Sequence, residues 1–186
     1  PFLHDFARNP VYAESFIVKY PSILLSVSQM SEVFFILTIP FFLRRFGIKT
    51  VMLMSMVAWM LRFGLFAFGD PSATGFGLLS LSMVVYGCAF DFFNISGSVF
   101  VEQEVNSDIR ASAQGLFMTT VNGIGAYVGS VLSGMTVDYF SVDGVKDWQT
   151  IWLVFAAYAL ALAVVFYLSF NYRHSGKNSE MRTVAH

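Results

Sequence analysis

The sequence predicts an all-α polytopic membrane protein that crosses the bilayer five times. Three observations carry that prediction. Of its 186 residues, 56% are hydrophobic and only 12% charged, about half the charge of an ordinary soluble domain. The apolar residues gather into five runs, at 21–43, 50–69, 76–101, 111–137 and 148–170. Each is near the roughly 20 residues that a helix needs to cross about 30 Å of hydrocarbon. Between the runs lie charged or Gly/Pro-containing stretches of the kind that end helices.

Residues 1–20 mix charges, aromatics and a proline, and read as an external loop with a short amphipathic helix. The first run gives way at Leu43 to the basic turn RRFGIK, and the second stops at GDPSATG. The third ends in EQEVNSDIR, and the fourth leads into DYFSVDGVKDW. After the fifth, residues 171–186 form a polar tail expected to be disordered. Arg44, Arg45, Lys49, Arg110, Arg173, Lys177 and Arg182 fall on one side of the membrane, against Arg8, Lys19 and Lys146 on the other. Cytoplasmic loops keep Lys and Arg, so the first side is expected to be cytoplasmic, with the N-terminal loop outside and the tail inside. Residue 1 is Pro, not Met, and an external start expects a further span before it. The chain reads as the tail end of a larger bundle.

Several function classes are excluded. A formal net charge of -1, from 11 basic and 12 acidic residues, provides no basic field for nucleic acid. Cys88 is the single cysteine, which rules out an intrachain disulfide and a cysteine-based zinc site. Nothing resembles a phosphate loop, an HExxH motif or a Ser-His-Asp set, so no cofactor and no metal are expected. His4, His174 and His186 lie outside the spans and are not proton relays.

The informative residues are polar ones inside the runs. Wound as an ideal helix, the third span places Tyr86, Gly87, Phe90, Asp91, Asn94 and Ser98 within one arc of roughly 140°. The first gathers Ser22, Ser28, Gln29 and Glu32 on one face. At 1.5 Å per residue, Glu32 lies roughly 17 Å and Asp91 about 20 Å below the external surface. Two carboxyl groups at one depth point to a shared cavity. Groups so placed take a proton on one side and release it on the other, coupling solute movement to a proton gradient. Phe90 and Tyr86 offer flat faces for a ring, and Gln29 and Asn94 both donate and accept hydrogen bonds. The competing reading is that the amides and acids bond helices together.

Arg62 sits about seven residues inside its span, where a long side chain reaches the interface by snorkelling, or pairs with an acid. Gly125, Gly129 and Ser133 form a small-residue stripe expected to pack closely against another helix, or to act as a sliding surface. The charged turns RRFGIK and EQEVNSDIR either anchor and cap, or latch one conformation.

The stretches SVSQMSEVFFILTIPFFLRRFGIKTVM, VYGCAFDFFNISGSVFVEQEV, IRASAQGLFM and DGVKDWQTIWLVFA resemble the nucleoside:proton symporters of enteric bacteria, a branch of the major facilitator superfamily. The resemblance covers essentially the whole chain. Within the family, PFLHDFARNP and FSVDGVKDWQTIWLVFA look most like its xanthosine-carrying members. It implies twelve spans in two six-helix bundles, of which this chain supplies the last five, with the N-terminal bundle of the same polypeptide completing the pocket. It also implies alternating access at a site between the bundles. Matched residue by residue, Gln29, Glu32, Tyr86, Phe90 and Asp91 fall at nucleoside-pocket positions. Asp91 is the leading proton carrier and Glu32 the second. The expected function is proton-coupled nucleoside uptake across the bacterial inner membrane, without an enzymatic step. The alternatives are a facilitator for another polar solute such as a sugar, and an intramembrane enzyme using Glu32 and Asp91 as an acid pair.

Overall fold

The computed structural model describes residues 2, 5, 11, 15–70, 72–142 and 144–170. The expected tail at 171–186, much of the N-terminal loop, and with them His4, Arg8, Arg173, His174, Lys177, Arg182 and His186 lie outside the described residues. A short α1 (Phe16–Lys19) precedes α2 (Pro21–Phe68), and Ser72 opens α3 (Ala73–Glu104). A 3-10 turn at Ser107–Ile109 leads to α4 (Arg110–Met118), which runs through a π-helical segment (Thr119–Gly125) into α5 (Ala126–Tyr139). A hairpin of β1 (Ser141–Val142) and β2 (Val145–Lys146) then leads to α6 (Trp148–Ser169).

Among the described residues, four helices are long and apolar enough to cross a membrane, where the sequence predicts five. The difference lies in α2. It contains the first two apolar runs, joined at Gly47 with φ 77 and ψ 165. That backbone region is essentially open to glycine alone. RRFGIK, expected as a turn over six residues, is therefore a corner one residue wide between two helical arms, 21–46 and 48–68. The arms fold back on each other: Ile39 and Val51 share one core cluster, which also takes in Phe35 and Met54. In a straight helix those last two would stand about 28 Å apart.

The next turn follows its residue chemistry. Gly69 ends α2 with extended backbone, the Asp70 carboxylate accepts the Ser72 N–H at 2.9 Å, and Ser72 Oγ accepts from Gly75 N–H at 3.1 Å as the N-cap of α3. Between α5 and α6 the stretch DYFSVDGVKDW forms the hairpin, with Ser141 paired to Lys146 and Val142 to Val145 and with Gly144 at φ 78. Asp147 then caps α6, accepting from the Thr150 N–H at 3.1 Å.

Two apolar clusters lie toward opposite ends of the bundle. Phe2, Phe66, Leu79 and Met83 pack with Trp148 and Trp152, while Ile39, Val51 and Phe92 pack with Phe35, Phe42 and Ile95. At the first end, Asp5 holds Lys146 Nζ at 3.2 Å and accepts from Trp148 Nε1 at 3.0 Å. At the second, Lys49 Nζ donates to the Tyr167 carbonyl at 3.0 Å and lies over the Tyr167 ring. The RRFGIK corner and the end of α6 therefore share one end of the bundle, and the start of α6 lies at the other.

Candidate functional site

Between the two clusters, serine hydroxyls draw α2 and α3 together. Ser31 Oγ donates to the Val84 carbonyl, Ser55 Oγ to that of Ala89, and Ser82 Oγ to that of Arg62 at 3.5 Å. These side chains are short, so each bond brings two backbones close, as membrane helices commonly pack. Gly87 makes the nearest approach. A Cβ there would stand 2.8 Å from Glu32 N and from the Ser31 carbonyl carbon. This contact fixes the register that sets Glu32, on the first arm of α2, opposite Gly87, with Asp91 one turn farther along α3.

Asp91 is only 7% exposed, and its Oδ2 has no hydrogen-bond partner among the described residues. Glu32 is half-buried, and its backbone nitrogen lies against Gly87, one turn before Asp91. Gln29, one turn before Glu32, is exposed. The Tyr86 and Phe90 rings stack with centroids 5.8 Å apart and planes at 23°, and Phe90 remains exposed. Trp59, on the second arm of α2, meets Tyr86 edge-on at 5.8 Å.

Arg62 departs from the snorkelling reading. Its guanidinium lies 4.2 Å from the centroid of Tyr86 and 5.2 Å from that of Phe66, and its Nη1 is buried with no partner among the described residues. The aromatic rings hold the cation inside the bundle, where their π faces take the place of water. Sequence distance from the helix end favours the interface; Trp59 and Phe66 stand one turn away on the same helix, and the packing of α2 on α3 adds Tyr86.

Asn94 is half-buried. One of its amide N–H groups bonds the Phe90 carbonyl at 3.0 Å, and its Oδ1 accepts from Asn122 Nδ2 at 3.3 Å. Asn122 was not singled out in the sequence. The signal available was an amide inside the fourth apolar run, with no periodic polar face around it to mark it. The stripe Gly125, Gly129, Ser133 packs on nothing within the described residues: Gly129 has open space around it, and α5 buries no residue. Among the described residues, no group of three or more His, Cys, Asp or Glu converges as a metal site would require.

The arrangement provides two neighbouring carboxyl groups, one deeply buried, beside a stacked aromatic ledge and a set of amides. It suits a ring-bearing polar solute and an exchangeable proton. Comparison with known proteins bears on that chemistry. Residues 1–175 match the family described as the nucleoside H+ symporter. The chain is 80% identical over 186 residues to the xanthosine permease of Escherichia coli K12, covering all of this chain and 44% of that protein. It is 57% identical over 185 residues to the nucleoside permease NupG of the same strain, with the same coverage of both. The crystal structure of nucleoside transporter NupG aligns with a TM-score of 0.87 at 59% identity, covering 92% of this chain and 42% of that one. The chain thus spans less than half the length of the curated relatives it matches. Since the family match takes in every helix from α1 to α6, the chain belongs to the nucleoside H+ symporter family.

Proposed function

We propose that this chain forms most of the C-terminal bundle of a proton-driven nucleoside importer that works by alternating access. The observation that carries the proposal is Asp91: a carboxyl group buried to 7% exposure, with Oδ2 unpartnered among the described residues, beside Glu32 and the Tyr86–Phe90 ledge. In hydrocarbon, a carboxyl so placed is stable when it holds a proton or faces a polar cavity. Asp91 is assigned as the proton carrier, with Glu32 second. Phe90, backed by Tyr86, stacks on the base, while Gln29 and Glu32 bond its polar edges, and Asn94 closes the row. Xanthosine is the assigned substrate because the xanthosine permease is 80% identical to the chain.

The remaining assignments follow from the same reading. The N-terminal bundle of the same polypeptide supplies the facing wall of the cavity, and lipid surrounds the rest. No covalent chemistry is involved, and the protein is not an enzyme. It resides in the bacterial inner membrane, with the Lys49 end and the C-terminus on the cytoplasmic side.

Uptake of labelled xanthosine and uridine by the full-length protein in cells, with and without a protonophore, tests the proposal. Xanthosine accumulation that collapses with the proton gradient is expected. Absence of uptake of either label by protein shown to be in the membrane refutes the nucleoside assignment, and preference for uridine reassigns the substrate.

A further inference from the structure

Arg62 is the buried charge that the proposed function leaves unused. It lies on the second arm of α2, where Ser82 Oγ donates to its carbonyl at 3.5 Å, so its backbone stands level with α3 one turn before Tyr86. From there the side chain reaches into a box of rings. Its guanidinium carbon is 4.2 Å from the Tyr86 centroid, 5.2 Å from that of Phe66 and 5.7 Å from that of Trp59. Among the described residues Arg62 forms no ion pair, and its Nη1 is buried without a hydrogen-bond partner.

Stability alone gives a poor account of this arrangement. Taking a guanidinium out of water is expensive, and ring faces return only part of that cost. A methionine would fill much of the same space without the penalty. What methionine lacks is a planar cation that lies flat on an aromatic face and is drawn to it. Of the three rings around Arg62, Tyr86 is the nearest and the one that belongs to the site. The Tyr86 ring also meets the edge of Trp59 at 5.8 Å and 85°, and stacks on Phe90 at 5.8 Å and 23°. Of these three neighbours only Arg62 is charged. Phe90, one turn farther along α3, is the exposed member of the ledge.

We propose that Arg62 is a positioning residue for nucleoside binding: its guanidinium holds the Tyr86 ring so that Phe90, stacked on Tyr86, presents a fixed face to the base. The inference deepens the nucleoside reading above and rests on it. The effect passes from Arg62 through Tyr86 to Phe90, and Arg62 itself touches no substrate. A ledge released from the guanidinium binds the base less tightly and leaves the later steps of transport as they were, so KM rises while the maximal rate holds.

The test is the concentration dependence of labelled xanthosine uptake by the full-length protein in cells, with the membrane abundance of each variant read by immunoblot. Arg62→Met is expected to raise KM about tenfold, the scale of a desolvated cation–π contact, with little change in maximal rate per protein. Arg62→Lys keeps a cation without the planar fork and is expected to raise KM about threefold. In a Tyr86→Leu background, Arg62→Met is expected to add less than about twofold, because the ring it acts through is gone. An unchanged KM in Arg62→Met overturns the assignment, as does a tenfold effect that persists in the Tyr86→Leu background. Loss of both Arg62 variants from the membrane makes Arg62 a folding residue and overturns it as well. No uptake of labelled xanthosine or uridine by the unsubstituted protein overturns the nucleoside reading itself, and the role of Arg62 with it.

Discussion

A carboxylate at the centre of a spanning helix costs about 2.5–3.5 kcal/mol on insertion scales, and Asp91 has neither a paired cation nor a hydrogen-bond donor at Oδ2 among the described residues. Asp91→Asn and Glu32→Gln keep shape and remove the exchangeable proton. Both are expected to abolish accumulation against a gradient while membrane abundance, read by immunoblot, stays unchanged. Gly87 is constrained by contact instead. Its α-carbon faces the Ser31–Glu32 backbone, so Gly87→Val is expected to destabilise by about 1–3 kcal/mol through overpacking, lowering the thermal midpoint in detergent. Gly77→Ala, with open space around it, is the matched control and leaves the midpoint in place. At this scale, the polar face of α3 was legible in the sequence because helical periodicity gathers Tyr86, Phe90, Asp91 and Asn94. Arg62 and Asn122 were not legible. Each has a partner on another helix, Tyr86 for Arg62 and Asn94 for Asn122, and sequence spacing carries no record of those two contacts, although Trp59 and Phe66, one turn either side of Arg62, were on view.

The elements differ in how local their causes are. The GDPSATG stop was readable because Gly, Asp and Pro end a helix by short-range chemistry, whereas the Ser72 cap that starts α3 at Ala73 was not read. The one-residue corner at Gly47 was not readable, since a glycine between basic residues fits a longer turn equally well until Ile39 and Val51 are seen in one core cluster with Phe92. The π segment leaves no periodic signature, because widening one turn displaces the register without changing composition. Gly47→Ala places a Cβ at φ 77, and is expected to cost about 1–2 kcal/mol, read as a lower midpoint. At the other hairpin arm, the Asp147 carboxyl is held below the usual carboxylate range, chiefly by the Thr150 hydroxyl and then by backbone N–H groups. A carboxyl with a depressed folded value stabilises fully above its unfolded value and loses that contribution as pH falls through the folded one. Protection of the first-turn amides of α6, taken as the exchange rate relative to the intrinsic rate at the same pH, is therefore expected to fall on acidification below the ordinary aspartate range, and Asp147→Asn to remove most of that dependence.

For the whole molecule, hydropathy was sufficient to predict an all-helical membrane bundle, because lipid demands that backbone groups be satisfied within each segment. It could not supply the helix arrangement, which depends on serine-to-carbonyl bonds and on glycine contacts between α2 and α3. The arrangement is open to direct test. With Cys88 replaced by alanine, Ile39→Cys together with Val51→Cys is expected to be bridged within the chain by a flexible bifunctional thiol reagent, since both line one cluster with Phe92. Failure to cross-link in membranes would mean that the arms of α2 do not fold back. The corner between those arms bears on how the protein is made. Arg44 and Arg45 stand exposed beside Gly47, and each would cost about 2.5–3.5 kcal/mol to carry through the bilayer centre. A turn this short also leaves no slack for one arm to settle while its neighbour waits in water. During synthesis the two arms are therefore expected to enter the membrane as a pair, with the arginines kept at one surface and orientation decided for both in a single step.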